Sequence, residues 1–338
     1  MISDDDKMMS HNHKWLMPSK VMMVNQEKGI QFCFTYSPDG KLLACANSSD
    51  FLNTITIWQL PSGRERKTIE LGRDVLAVHP EGDFLDKSYQ VSSLAFSPNG
   101  KTLAAAVDKR ICFWTTESWK ENLGYDCDSG AIIAFSPDGS LLATAASGSI
   151  VLWDLARRQR RLELATPLID LRALAFSPNG NFLAAGGTRG PIKLWHLATG
   201  KEIYSFNSRV MGPYALAFSS DSKTLASAAG SFVDIWDVIS KEEVANYRFN
   251  SFAITAIALS PDGKLLAAAA TDKFKSPGPV TLWDLGKGKP LGVWQTREYE
   301  PHGIAFSPNG KELAVGISLP KGYVEVWSVE EMLQNQCE

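Results

Sequence analysis

Seven times the chain writes a four-residue turn, and seven times a tryptophan follows it. The turns start at Ser37, Ser97, Ser136, Ser177, Ser219, Ser260 and Ser307; six read Ser-Pro-Asp-Gly or Ser-Pro-Asn-Gly, and one reads Ser219-Ser220-Asp221-Ser222. Some 15 to 25 residues after each turn, Trp58, Trp114, Trp153, Trp195, Trp236, Trp283 and Trp327 close short β-branched runs. Successive turns lie 60, 39, 41, 42, 41 and 47 residues apart. A unit of about 40 residues cannot bury its hydrophobic face alone and has to stack on its neighbours, so the chain is a repeat array.

Each unit carries the marks of four strands. In the turn, proline presets φ at the second position, and Asp or Asn with Gly accepts the tight reversal. Short apolar runs flank it, as in Ser93-Leu94-Ala95-Phe96 before and Thr102-Leu103-Ala104-Ala105-Ala106 after, which predicts a hairpin of two buried strands. The tryptophan run is the third strand, as in Ile150-Val151-Leu152-Trp153 and Val280-Thr281-Leu282-Trp283. A fourth follows a polar turn; the alternation in Gly200-Lys201-Glu202-Ile203-Tyr204-Ser205-Phe206 predicts an outer strand half exposed to water.

Four strands per unit, repeated radially, is the architecture of a β-propeller, and the units resemble WD repeats. The dipeptide that names the family stands at Trp153-Asp154, Trp236-Asp237 and Trp283-Asp284 and is altered in the other four units. The family usually has a Gly-His pair before the first strand, whose His joins the tryptophan through an Asp. No His stands at that offset here; His302, four residues before Phe306, is too close. Regular turns without that pair resemble bacterial-type WD repeats. The resemblance covers nearly the whole chain and implies an all-β, seven-bladed propeller with four antiparallel strands per blade.

Composition agrees with a self-supporting core: 44% hydrophobic and 21% charged residues over 338 positions. Length alone predicts two or three domains, and the repeats override that prior. The net charge of −3 argues against a nucleic-acid partner, which calls for a basic face. No apolar run is long enough to span a membrane and no signal core is visible. With five cysteines and no CxxC pair, these features predict a cytoplasmic protein whose Cys33, Cys45 and Cys112 are reduced strand filler.

The last unit lacks an outer strand of its own, because only a polar tail, Ser328 to Glu338, follows Trp327. Val21-Met22-Met23-Val24 lies twelve residues before Tyr36, the offset that separates Phe206 from Phe218. The N-terminal segment is therefore expected to complete blade seven and cover an open strand edge. Residues 1–16 read as a disordered leader, and residues 17–338 as a single propeller. The longest interval holds extra residues 72–90, read as a hairpin-like insertion between blades one and two, with His79 and Phe84 as candidate partner contacts. A second interruption, Thr271 to Pro279, adds Phe274 on the same face.

The resemblance also implies which residues ring the channel mouth. They are the ones four positions before the inner-strand aromatic: Phe32, Ser92, Ala131, Arg172, Tyr214, Thr255 and His302. Two residues earlier in each unit, Asp170 and Glu300 supply carboxylates. Aromatic and arginine side chains dominate interfaces because they bring large contact areas at small entropic cost. Arg157, Arg158, Arg160 and Arg161, between the third and fourth strands of blade three, form a possible anion-binding patch on the opposite face. No nucleophile elbow, zinc motif or phosphate loop is present, so no cofactor, metal or catalytic residue is expected. The reading is a non-catalytic adaptor or regulatory subunit, itself monomeric, that binds a protein or peptide on its top face within a larger complex. The alternative is an enzyme or small-ligand protein using Arg172, His302, Asp170 and Glu300.

Overall fold

The computed structural model describes residues 18–49, 53–71, 91–127, 131–146, 148–166, 168–207, 214–249, 253–271, 277–317 and 321–335. The expectations for residues 1–16 and for the 72–90 insertion lie outside them. Each repeat becomes one antiparallel sheet of four strands laid out in chain order. Blade two runs from Val91–Phe96 to Glu121–Asp126, blade three from Ile132–Phe135 to Gln159–Ala165, and blade four from Ile169–Phe176 to Lys201–Phe206. Blade five runs from Ala215–Phe218 to Glu243–Arg248, and blade six from Ala253–Leu259 to Lys289–Gln295.

Blades seven and one are joined through the long strand Lys20–Tyr36. Its first part, Lys20 to Met23, pairs with Val326 to Tyr323 as the outer strand of blade seven. Its last part, Gly29 to Tyr36, pairs with the strand Leu42–Ser49 as the inner strand of blade one. The expected closure by the N-terminal segment is what forms. Ser19 Oγ donates to the Val326 carbonyl at 2.8 Å, and Lys20 pairs with Glu312 at 3.5 Å.

The turn sequence is explained by one hydroxyl. In all seven turns the leading serine donates to the Asp or Asn carboxylate or amide oxygen two residues on, as Ser37 does to Asp39 at 2.7 Å and Ser177 to Asn179 at 2.7 Å. The same Oγ accepts the backbone N–H five residues on, at 2.9 Å from Leu42 and 2.9 Å from Phe182. Buried hydroxyls need such partners, which is why the position is Ser and the third is always Asp or Asn.

Packing sets the radial order. Inner strands of successive blades touch in a closed cycle, and side chains along them, such as Ala95, Ala175 and Phe176, stay half-buried while the second strands are buried almost throughout. Water therefore reaches the axis. Second strands are rich in alanine, as in Ala104-Ala105-Ala106 and Ala267 to Ala270, all fully or nearly fully buried, because the blades taper toward the axis and leave room only for small residues. Farther out, each third-strand tryptophan packs on the preceding blade. Tyr125 stacks on Trp153 with centroids 4.7 Å apart, Phe206 lies 5.0 Å from Trp236, and Tyr247 lies 4.6 Å from Trp283. Such pairs contribute about 0.5–1.5 kcal/mol each beyond area burial, so the glue is between blades.

The tail after Trp327 folds as a helix, Val329–Gln334, capped by Ser328 Oγ, which accepts from Glu331 N at 3.3 Å. Val329 and Met332 are buried in the core that blades six and seven share. Cys45 and Cys112 are buried, and Cys33 is half-buried with its thiol pushed up to about 12 by burial.

Candidate binding site at the channel mouth

The inner strands do not enter the channel mouth as regular ladders. In blades two, four, six and seven the register between inner and second strand slips by one residue. The skipped residues are Ser92, Arg172, Thr255 and His302, four of the positions expected at the mouth. A β-bulge leaves its extra residue unpaired and re-aims that side chain. In blade one the slip falls at Ile30, and Phe32 keeps its backbone pairing with Asn47. Tyr214 N donates to the Ala228 carbonyl at 2.9 Å, and its side chain is half-buried.

Two of the four re-aimed side chains turn inward to the neighbouring blade. Ser92 Oγ donates to the Ala131 carbonyl at 2.7 Å, and Thr255 Oγ1 to the Pro301 carbonyl at 2.7 Å. Their hydroxyls stitch the first strands of successive blades and are engaged before any partner arrives. Ala131 is fully buried and presents nothing.

Arg172 and His302 face water instead. Arg172 Nη2 lies 3.3 Å from Asp170 Oδ2, with both side chains more than half exposed at 55% and 58%. Asp170 sits in a strand with φ 57°, and among the described residues it is the one non-glycine residue inside a strand with a left-handed backbone. Such a conformation costs of order 1–3 kcal/mol and persists where the surroundings over-determine it. The bulge at Arg172 and the strain at Asp170 bring both charges out together. His302 is exposed, yet the protein around it desolvates the imidazolium and lowers its pKa, against the pull of Glu300. Near neutral pH it is an uncharged imidazole, able to donate from one nitrogen and accept at the other.

Sequence reasoning named the mouth positions but missed the bulges. A signal was present: Val91 and Leu94, Ile254 and Ile257, and Pro301 and Ile304 are buried pairs three residues apart, which breaks the alternation of a regular strand. His79, Phe84 and Phe274 lie outside the described residues. Arg157 and Arg158, on the turn between the third and fourth strands of blade three, and Arg160 and Arg161, at the start of its fourth strand, are all exposed, at the end of the molecule opposite the mouth. Among the described residues no group of three or more His, Cys, Asp or Glu side chains is placed to hold a metal ion.

Comparison with known families settles what the repeats are. The WD40 family, described as "WD domain, G-beta repeat", matches residues 80–115, 130–154, 168–196 and 241–274. The matched repeats are WD repeats, and they sit in a seven-bladed propeller. It is 38% identical over 63 residues to ribosome biogenesis protein erb1 of Aspergillus niger, a match covering 18% of this chain and 8% of that protein. It is 35% identical over 63 residues to protein ROOT INITIATION DEFECTIVE 3 of Arabidopsis thaliana, covering 19% of this chain and 14% of that one. The matched stretches are thus small parts of both relatives. Among solved structures, a chain of the mitotic checkpoint complex superposes with a TM-score of 0.78 over 95% of this propeller and 94% of that chain, at 16% identity. That likeness is one of fold. A WD-repeat propeller of this kind is the architecture of a protein-interaction scaffold.

Proposed function

We propose that this propeller is a non-catalytic adaptor or regulatory subunit that binds a protein segment at its channel mouth, in the cytoplasm and within a larger complex. The observation that carries the reading is the Asp170–Arg172 pair. A left-handed residue and a bulge in one strand turn two charged side chains outward, and strain of that sort concentrates where a side chain is needed for binding. Around them the mouth offers Tyr214, His302 and Glu300. The arginine presents a fixed fork of donors that pairs with a carboxylate or a main-chain carbonyl, and the rigid ring spares the partner most of the ordering cost on this side. That the propeller's likeness includes a chain from a multi-protein assembly supports a role inside a complex.

The test is affinity capture from native extract with wild type and a folded Arg172→Ala/Tyr214→Ala variant, read by quantitative mass spectrometry. A partner held in near-stoichiometric amount by wild type and lost by the variant is the expected result. Equal capture by both moves the site away from the mouth.

A further inference from the structure

The turn between the third and fourth strands is built alike in six blades, and blade three departs from the pattern in one respect. Four residues past the end of each third strand the backbone is left-handed: Gly63 at 67°, Trp119 at 54°, Arg158 at 55°, Gly200 at 65°, Lys241 at 64° and Gly288 at 64°. Glycine is the residue that adopts this conformation without strain, whereas a side chain with a Cβ costs about 1 kcal/mol or more. Two of the three exceptions repay that cost locally. Trp119 packs on the core between blades one and two. Lys241 Nζ donates to the Ile203 carbonyl at 3.3 Å and lies 5.5 Å over the Tyr204 ring.

Arg158 has no such return. It is exposed and, among the described residues, makes no hydrogen bond, ion pair or ring contact; its charge is felt by Tyr125 of the neighbouring blade, but no contact there repays the strained backbone. Its neighbours are aligned with it. Arg157 is fixed by Asp154, whose Oδ2 it meets at 2.8 Å and whose Oδ1 accepts the Arg157 N–H at 2.8 Å. Arg160 is held over the Trp153 ring at 5.2 Å. Arg161 is the residue skipped by the register slip between the third and fourth strands, Leu152 facing Leu162 and Trp153 facing Arg160, so it too is re-aimed. Guanidinium groups immobilised before binding lose little rotamer freedom on meeting an anion, and their planar fork pairs with carboxylate or phosphate through two donors at once.

We propose that the blade-three turn is a second docking site, on the face opposite the channel mouth, for a short acidic peptide segment of a protein partner. The four arginines lie within five consecutive residues, two on the turn and two at the start of the fourth strand, which matches two or three closely spaced anionic side chains. The basic run is confined to five consecutive residues, and the same outer strand continues with exposed Glu163, whereas a nucleic acid gains its affinity from many phosphates along an extended basic track. A compact acidic segment needs only the short run.

Arg158→Gly separates function from stability, because glycine is the residue the backbone prefers there. The full-length protein is titrated into fluorescein-labelled decaglutamate at low ionic strength and followed by fluorescence polarisation, with a labelled thymidine decanucleotide as the rival anion. Wild type is expected to bind the peptide with marked salt dependence, Arg158→Gly to bind it about tenfold more weakly, and the melting temperature to stay equal or rise. Arg64→Ala/Arg66→Ala, which removes two exposed charges from blade one, should leave binding within twofold. Equal binding by Arg158→Gly and wild type overturns the proposal, as does an equal loss in the blade-one control. A lower melting temperature for Arg158→Gly shows the arginine to be structural and overturns it too. Binding of the oligonucleotide as tight as that of the peptide replaces the acidic segment with nucleic acid and overturns it as stated.

Discussion

Blades three and five satisfy their tryptophans, and blades one and six do not. Trp153 Nε1 donates to Thr144 Oγ1 at 3.1 Å, and Trp236 Nε1 to Ser227 Oγ at 3.0 Å. The equivalent second-strand positions hold Cys45 in blade one and Ala268 in blade six, where Trp58 Nε1 and Trp283 Nε1 are buried without a partner. An unpaired buried donor costs about 1–3 kcal/mol, yet all four blades have the same strand order and register. The ring is therefore held by its turns, by the packing of each tryptophan on the preceding blade and by closure, with the tryptophan hydrogen bond as an optional addition.

The harshest way to break that comparison is to open the ring, which removes the shared support while leaving every tryptophan in place. Deleting residues 1–25 takes the outer strand from blade seven, including buried Met22, and exposes the edge of Lys321–Ser328. Unfolding or aggregation is expected, with a melting temperature at least about 10 °C lower for what remains soluble. An unchanged calorimetric transition would mean that each blade holds itself.

Blade seven sharpens the comparison with a third arrangement. Val315 stands where Thr144 does in blade three, and Glu325 is fully buried two residues before Trp327. Its Oε1 accepts the Arg297 N–H at 2.9 Å, while among the described residues Oε2 has no partner in good hydrogen-bond geometry, although the Trp327 indole beside it favours the charged form. Burial pushes the Glu325 carboxyl from 4.5 up to about 7, against the pull of Arg297. An acid whose folded pKa is raised holds its proton longer when folded, so this group's contribution to stability is fully present below pH 4.5 and is lost as pH rises toward 7. The turn aspartates Asp39, Asp138, Asp221 and Asp262 run the other way: their serine partners lower their pKa, so their contribution is lost as pH falls through it. Glu325→Gln is expected to stabilise the propeller above pH 7 by up to about 3 kcal/mol and to flatten the decline between pH 4.5 and 7. Parallel denaturation curves of variant and wild type across that window would exclude ionisation of Glu325.

Exchanging the two kinds of blade tests the comparison directly. Thr144→Val and Ser227→Ala each strand a tryptophan N–H and should cost about 1–3 kcal/mol, whereas Ala268→Ser supplies an acceptor to Trp283 and should gain about 0.5–1.5 kcal/mol. Urea denaturation at constant m reads all three. A neutral result in both directions would show that the indole N–H finds water in every blade.

What could be read in advance follows from how local each cause is. The turns, the strand order and the closing segment rest on spacing and on residues adjacent in sequence, so Ser37 to Gly40 and Val21 to Val24 declare themselves. At the starts of the inner strands the offset from Phe176 and Phe306 picks out Arg172 and His302, which the structure leaves exposed, but register slips depend on two strands at once, and the inward stitching of Ser92 and Thr255 depends on the next blade. Arg158 read only as one of four arginines in a possible anion-binding patch, because φ is not written in a residue's name. Trp153 and Trp236 belong with the half-read cases, since a hydroxyl nine residues earlier in sequence becomes a partner only when the second and third strands pair.

The smallest effect concerns the one turn that departs from the pattern. Ser222 stands where the other six turns have glycine, and its φ of 63° matches theirs, from 68° at Gly100 to 72° at Gly180. Its Oγ accepts the Asn179 N–H at 3.0 Å, so this residue reaches from blade five to the turn of blade four. The backbone strain of about 1 kcal/mol is offset by a hydrogen bond of similar size between blades. Ser222→Gly removes both and should change stability by less than about 0.5 kcal/mol, while Ser222→Ala keeps the strain, loses the bond and should cost about 1 kcal/mol or more. If alanine were as stable as serine, the bond to Asn179 would contribute nothing and the departure from glycine would have no compensation between the blades.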